Sequence, residues 1–245
     1  MNPSTEPVDS AKKSTEQMEG RRDLVWALLF CLLAVVVVRS FLFEPFKIPS
    51  SSMVPTLRIG DYIFVSKFSY SLVLPLTKLE LVRTGTPNRG DVIVFLSPRD
   101  ESLHYIKRVV GIPGDRVEFK GKDLIINGEL VPKTRVTDPA VIERVTGSKE
   151  ISGELYEETL GDVHYVKYTK ATADFPRTTA PEVVPENQFF VAGDNRDDSY
   201  DSRSWGYVPR ENLKGRARMI WLSIEDEANW GADKVRWKRC GTPIR

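Results

Sequence analysis

The strongest pattern in the chain is an unbroken apolar one. Leu24 to Val38 is fifteen residues without a charge, and Arg39-Ser40 is followed by Phe41-Leu42-Phe43. If Arg39 snorkels, the apolar stretch reaches roughly 20 residues, enough for a helix to cross a bilayer. A cleaved signal peptide would show an Ala-x-Ala-like exit, and none follows, so residues 24–43 read as a retained transmembrane anchor. Beyond it the pattern changes to short β-branched and aromatic runs closed by turn residues. Tyr62 to Val65, Asp91 to Phe95, Tyr105 to Val110 and Arg116 to Phe119 read as strands, as do the late runs Asn187 to Ala192 and Arg216 to Leu222. Asn127-Gly128 separates the apolar runs Leu124 to Ile126 and Glu129 to Val131, a hairpin signal because such a turn needs two positive φ angles. No long amphipathic pattern and no internal repeat appears outside the anchor, so a mainly β fold is expected.

Two further stretches depart from this pattern. Residues 1–23 are rich in Ser, Thr, Glu, Lys and Pro and nearly free of large apolar side chains, which predicts a disordered tail. Residues 132–185 are polar, carry Pro132, Pro139, Pro176, Pro181 and Pro185, and have weak periodicity except from His164 to Tyr168. They read as an inserted, variable lobe. The expected organisation is thus a tail at 1–23, an anchor at 24–43, a β core at 44–131 and 186–225, the lobe at 132–185 and a C-terminal tail at 226–245.

Charge and composition narrow the partners. The 35 basic and 34 acidic side chains nearly cancel, and no stretch concentrates Lys and Arg, which argues against nucleic acid. Cys31 and Cys240 show neither metal-ligand spacing nor a disulfide framework, and His104 and His164 are the only histidines. No metal or cofactor is expected. Lys12, Lys13, Arg21 and Arg22 precede the anchor while Arg39 and Lys47 follow it, so the N-terminus is expected in the cytoplasm. Residues from about Glu44 onward would then lie on the far side of a lipid bilayer, where emerging exported chains are met.

Three stretches can carry chemistry. In Phe46-Lys47-Ile48-Pro49-Ser50-Ser51-Ser52-Met53-Val54-Pro55-Thr56-Leu57, three serines lie between prolines that restrict the backbone. Such a block is either a connector or the constrained turn that a serine nucleophile needs. In His104-Tyr105-Ile106-Lys107-Arg108-Val109-Val110-Gly111-Ile112-Pro113-Gly114-Asp115, a strand places Tyr105, Lys107 and Val109 on one face and Ile106 and Arg108 on the other. Lys107 is either a solvated strand lysine or a base. As a base it must be neutral, and lowering its pKa from near 10.4 to roughly 7–8 costs about 4 kcal/mol, which burial can supply. In Gly193 to Gly206, acids alternate with arginines. A calcium loop is disfavoured because Arg196 occupies a ligand slot and Ser199 the turn position that wants Gly. Asp194, Asp197 and Asp201 are expected to pair with Arg196 and Arg203 and stiffen the loop, leaving Ser199 to hold a neutral amine.

Together, in order, these stretches resemble the bacterial type I signal peptidases, or leader peptidases, over about residues 41–130 and 186–222. The Ser-Met block, the Tyr-Ile-Lys-Arg strand with its Gly-x-Pro-Gly-Asp turn, and Gly-Asp-Asn-Arg-Asp-x-Ser-x-Asp-Ser-Arg carry the resemblance. It implies a signal-peptidase-like β catalytic domain with Ser52 as nucleophile and Lys107 as general base. It further implies oxyanion donors from the Ser50 hydroxyl and the Ser52 backbone N–H, with Ser199 orienting Lys107. Asp201 and Arg203 look like supporting partners beside Asp194, Arg196 and Asp197. The family prefers small side chains one and three residues before the cut, and Phe46, Ile48, Met53, Leu57, Tyr105 and Ile106 are candidates to wall those pockets or to be plain core. Ser51 stands where many relatives carry Gly, and Asp198 where many carry Asn. The implied substrates are signal peptides of exported preproteins, with export machinery as a further candidate partner.

Rival readings have distinct signatures. A self-cleaving repressor-type protease would need a DNA-binding helical domain where this chain has an apolar span. A membrane-tethered β-domain that only binds exported chains would leave Ser52 and Lys107 incidental. A His-based hydrolase is disfavoured because His104 should point to the strand face opposite Lys107.

Overall fold

The structure, a computed structural model, describes residues 21–31, 43–73, 80–148, 152–169, 178–225 and 231–245. The chain divides into two compact units, Met1–Leu42 and Phe43–Arg245. In the first, residues 21–31 are helical, with Leu24, Trp26, Leu28 and Phe30 exposed. Among the described residues no helix is long and apolar enough to cross a membrane. Most of the expected anchor at 24–43, and nearly all of the expected tail at 1–23, lie outside the described residues.

The second unit is mainly β. Its largest sheet runs in the order β1 (Phe43–Lys47), β2 (Asp61–Ser66), β11 (Leu213–Ser223), β3 (Val92–Leu96), β4 (His104–Gly111), β10 (Gln188–Ala192) and Val208–Pro209, with Thr242–Pro243 added on β11. Its pairings are antiparallel. Along β2 burial alternates with period two: Ile63 and Val65 are buried while Tyr62 and Phe64 are half-buried. Both faces of the sheet centre are covered. Val92, Val94 and Ile106 join Met53 and Leu57 in one apolar cluster, whereas Ile93, Phe95 and Val109 join Phe189 and Val191 in another, with Tyr105 against it.

β5 (Arg116–Lys120) and β6 (Asp123–Ile126) form a second sheet with Glu129–Leu130 and Glu182–Val183. Asn127 and Gly128 turn its hairpin at φ values of 55° and 85°, a region that Asn tolerates and that Gly, lacking a Cβ, enters freely. Ser71–Val73 and Glu80–Arg83 form a separate two-stranded ribbon that the hydropathy pattern does not announce.

Within 132–185, β7 (Lys133–Val136), β8 (Glu154–Leu160) and β9 (Asp162–Tyr168) make a three-stranded antiparallel sheet, and α1 (Pro139–Thr146) is capped by Asp138, which accepts from Ala140 N, and by Gly147 at φ 76°. The weak pattern there has a physical reason. Inward positions of β8 and β9 include Glu158 and His164, which are buried by pairing, and a hydropathy pattern cannot see an inward-facing charge. Residues 231–245, within the expected C-terminal tail at 226–245, pack on this sheet: Gly241 N donates to Ile220 O at 2.7 Å, and Ile244 is buried among Met53, Leu57 and Ile220.

Candidate active site

The loop between β1 and β2 carries the three serines. Met53 and Leu57 are fully buried, and Leu57 N donates to Met53 O at 2.9 Å and Val54 N to Ser51 O at 3.0 Å, so the loop curls around its own apolar anchors. Ser52, directly before Met53, is thereby held at the surface of the core with 8% exposure. Its carbonyl accepts Asn195 N at 3.1 Å, and its hydroxyl lies 3.5 Å from that of the exposed Ser50.

Lys107 reaches the same point from β4. It is only 5% exposed, and its Nζ bonds Ser52 Oγ at 2.6 Å, 55 residues away in sequence. Burial pulls the amine's pKa down to about 8; Asp201 and Asp194 hold it up against that pull, and Arg203 lowers it further. A hydroxyl at hydrogen-bond distance from an amine that is neutral near pH 8 meets the requirements of a serine nucleophile with a lysine base. His104, by contrast, is exposed and packs against Phe46, with ring centroids 5.4 Å apart.

The segment Gly193 to Gly206 walls the pair from behind. A side chain at Gly193 would collide with Ser199 and with the Ser52 carbonyl, so the loop approaches as closely as it does only because this residue has none. The pairing expected within the loop is corrected in part. Arg203 does bond Asp201, at 2.8 and 2.7 Å, with α2 (Ser202–Trp205) capped by that same carboxylate. Asp194, however, pairs with Arg108 at 2.8 and 2.7 Å, and Arg196 with Glu158 of β8 at 3.1 and 2.5 Å. Asp197 accepts Thr169 N at 2.8 Å. Buried arginines take the carboxylates that tertiary packing aims at them, and those lie 86 and 38 residues away, beyond any local window.

Electrostatics follow from these pairs. Burial raises the Asp194 carboxyl, but Arg108 and the Thr56 hydroxyl, which donates at 2.5 Å, bring it below the ordinary value. Asp201 is likewise pushed up by burial and brought low overall by Arg203 and the Gly193 N–H. Burial also opposes ionisation of Glu158, yet Arg196 and His164 take it down to about 2. His164, whose Nε2 is 3.3 Å from Glu158, is held below its usual value by burial and by Arg108.

Ser199 is buried beside the Asp201 carboxylate, whose charge its hydroxyl favours, and among the described residues its Oγ makes no hydrogen bond of good geometry, to Lys107 included. Ser51 and Asp198 bond each other at 2.6 Å. Of the six pocket candidates, Ile48, Met53, Leu57 and Ile106 are buried in one cluster with Phe46 against it, while Tyr105 packs on Phe95. Met53 and Leu57 have no exposed surface and act as core; Phe46 and Tyr105 keep some. Sequence reasoning missed Gly193, Thr56, Asn195, Glu158 and His164. Only Gly193 carried a local signal, as the residue that closes a strand before the acidic run.

A family model described as signal peptidase, peptidase S26, matches residues 21–222. The chain belongs to the signal peptidase S26 family. A signal peptidase I of Buchnera aphidicola is 37% identical over 245 residues, covering 86% of this chain and 78% of its own length. That of Pseudomonas aeruginosa is 41% identical, covering 80% and 70%, and that of Pseudomonas fluorescens 43% identical, covering 78% and 69%. A solved signal peptidase I from Enterococcus faecalis is 30% identical and covers 54% of this chain and 96% of its own, with a TM-score of 0.31, too low to compare folds. This signal peptidase is a peptidase, and its reaction is the removal of signal peptides.

Proposed function

We propose that this signal peptidase cuts with Ser52 as nucleophile and neutral Lys107 as general base, while the apolar stretch 24–43 tethers it to the cytoplasmic membrane with its N-terminus inside. The observation that carries the reading is the 2.6 Å contact between Lys107 Nζ and Ser52 Oγ inside a buried environment that lowers the amine to about 8. An extended signal-peptide segment adds as a strand, with its scissile carbonyl carbon against Ser52 Oγ. Lys107 takes the hydroxyl proton as the C–O bond forms, and the carbonyl oxygen becomes an anion facing the Ser52 N–H and the Ser50 hydroxyl. Collapse breaks the C–N bond, and Lys107 returns the proton to the leaving amine. Water then attacks the acyl carbon, giving its proton to Lys107, and collapse breaks the ester C–O bond as Lys107 passes that proton to Ser52 Oγ, releasing the new carboxyl end. The Ser199 hydroxyl, beside the Asp201 carboxylate and without a well-formed hydrogen bond among the described residues, is available to hold Lys107 once Ser52 turns to the substrate. Tyr105, whose ring lies 5.8 Å from Lys107 Nζ, and Phe46, both partly exposed, favour small side chains next to the cut.

The test is preprotein cleavage by Ser52→Ala and Lys107→Ala, both purified folded and membrane-inserted. Each should lose roughly a thousandfold or more in kcat/KM, and parental rates in either would refute the dyad. Carbonate-washed membranes should retain the full chain, and its release would refute the tether.

A further inference from the structure

Ser51 and Asp198 lie beside the reactive pair, and the steps above use neither. Ser51 Oγ donates to Asp198 Oδ2 at 2.6 Å. Asn195 Nδ2 donates to the Ser51 carbonyl at 3.2 Å and to Asp198 Oδ2 at 3.3 Å, while Asn195 N donates to the Ser52 carbonyl at 3.1 Å. The acidic loop therefore grips two consecutive residues of the nucleophile loop, one of them Ser52 itself. The charge at 198 is also set apart. Asp194 is paired with Arg108 and Asp201 with Arg203, both fully buried, whereas Asp198 is exposed and has no ion pair among the described residues.

We propose that Asp198 is a positioning residue that, through Ser51, fixes the backbone presenting Ser52, and that its unpaired charge beside the nucleophile loop raises the pH at which peptide cleavage begins. This rests on the Ser52–Lys107 reading. The groups facing Lys107 are Ser52, the Tyr105 ring at 5.8 Å, and the charges of Asp194, Asp201, Arg203 and Asp198. The first two acids have their own cations close by; Asp198 does not. A negative charge keeps the amine protonated to higher pH, so Asp198 delays the onset of activity as pH rises. The clasp restrains the loop beside the nucleophile, where a small displacement is expensive in rate.

The two roles separate by substitution. Asp198→Asn keeps an acceptor for Ser51 but removes the charge, whereas Ser51→Ala keeps the charge but removes the bond. The full chain in detergent micelles is assayed on a peptide spanning a preprotein cleavage site, with kcat and KM followed across pH at low and high salt. Asp198→Asn should move the half-rise of activity to lower pH by about 0.3 units or more at low salt, and parent and variant should converge at high salt because an exposed charge is screened. Ser51→Ala should lower kcat roughly tenfold with KM and half-rise unchanged. An unmoved half-rise in Asp198→Asn overturns the charge role, and a parental kcat in Ser51→Ala overturns the clasp. Lys107→Ala serves as the control: parental activity there sinks the dyad itself, whereas an inactive Lys107→Ala beside two parental variants sinks only this inference.

Discussion

For an amine that is 5% exposed, with no carboxylate in direct contact among the described residues, burial weighs against the charged form. The consequences for Lys107 run in two directions. For activity, the neutral form is the reactive one, so cleavage should rise with pH and reach half its plateau near 8, well below a free lysine. For stability, the folded pKa of about 8 lies below the model value of 10.5, so between those values the unfolded chain holds a proton that the folded one lacks. Stability therefore climbs with pH across that window, and below it the full burial cost, on the order of 3 kcal/mol, is present. Lys107→Met should accordingly unfold at higher urea than the parent near pH 7 and lose that advantage above about pH 10 while remaining inactive. A variant that is less stable at both pH values would show that the amine is not the strained group.

At the level of elements, the site is the meeting of the β1–β2 loop, β4 and the 193–206 loop, and the lobe sheet supports the last of these. Lys167 N donates to Asp194 O at 2.8 Å and Arg196 N to Lys167 O at 2.9 Å, so β9 is stitched to the acidic loop by backbone bonds. β8 adds Glu158, 0% exposed, beneath Arg196, also 0% exposed. Removing one member of such a pair strands the other charge in the core. Glu158→Gln should cost about 3–5 kcal/mol in a denaturant titration. Because Glu158 is depressed to about 2, its contribution is whole above the ordinary glutamate range and fades as pH falls through that value. The pattern of short apolar and β-branched runs announced β2, β4 and β10, although β4 also buries Lys107 and Arg108. It could not announce β8, where one inward residue is a carboxylate whose partner comes from another element.

Over the whole Phe43–Arg245 unit, the last residues act as a strap. Arg239 donates to the buried Asp61 at 2.5 Å and to the Thr56 carbonyl at 3.0 Å, Arg236 bonds the Ile59 carbonyl at 2.6 Å, and Arg108 donates to the Arg245 carbonyl at 2.9 Å. Thr56 and Ile59 belong to the nucleophile loop, so the C-terminal segment clamps the loop that begins the fold. Arg239→Ala leaves Asp61, 0% exposed, with weaker compensation, and should lower stability by about 2–3 kcal/mol, read as a drop in melting temperature. An unchanged melting temperature would mean that Arg236 and Ser223, which also reach Asp61, suffice.

By itself the sequence determined what repeats over a few residues: the mainly β character, the Asn127-Gly128 turn, and the three stretches whose resemblance named the family. Each depends on neighbours along the chain, where steric preference and alternation act. Only the tertiary structure decided which charges meet. Ser52 finds Lys107 across 55 residues, Asp194 finds Arg108 across 86, and Ile244 joins the core. The reason is that burying a charge is tolerable only where a partner is delivered to it, and delivery is a property of how strands are ordered in the sheet.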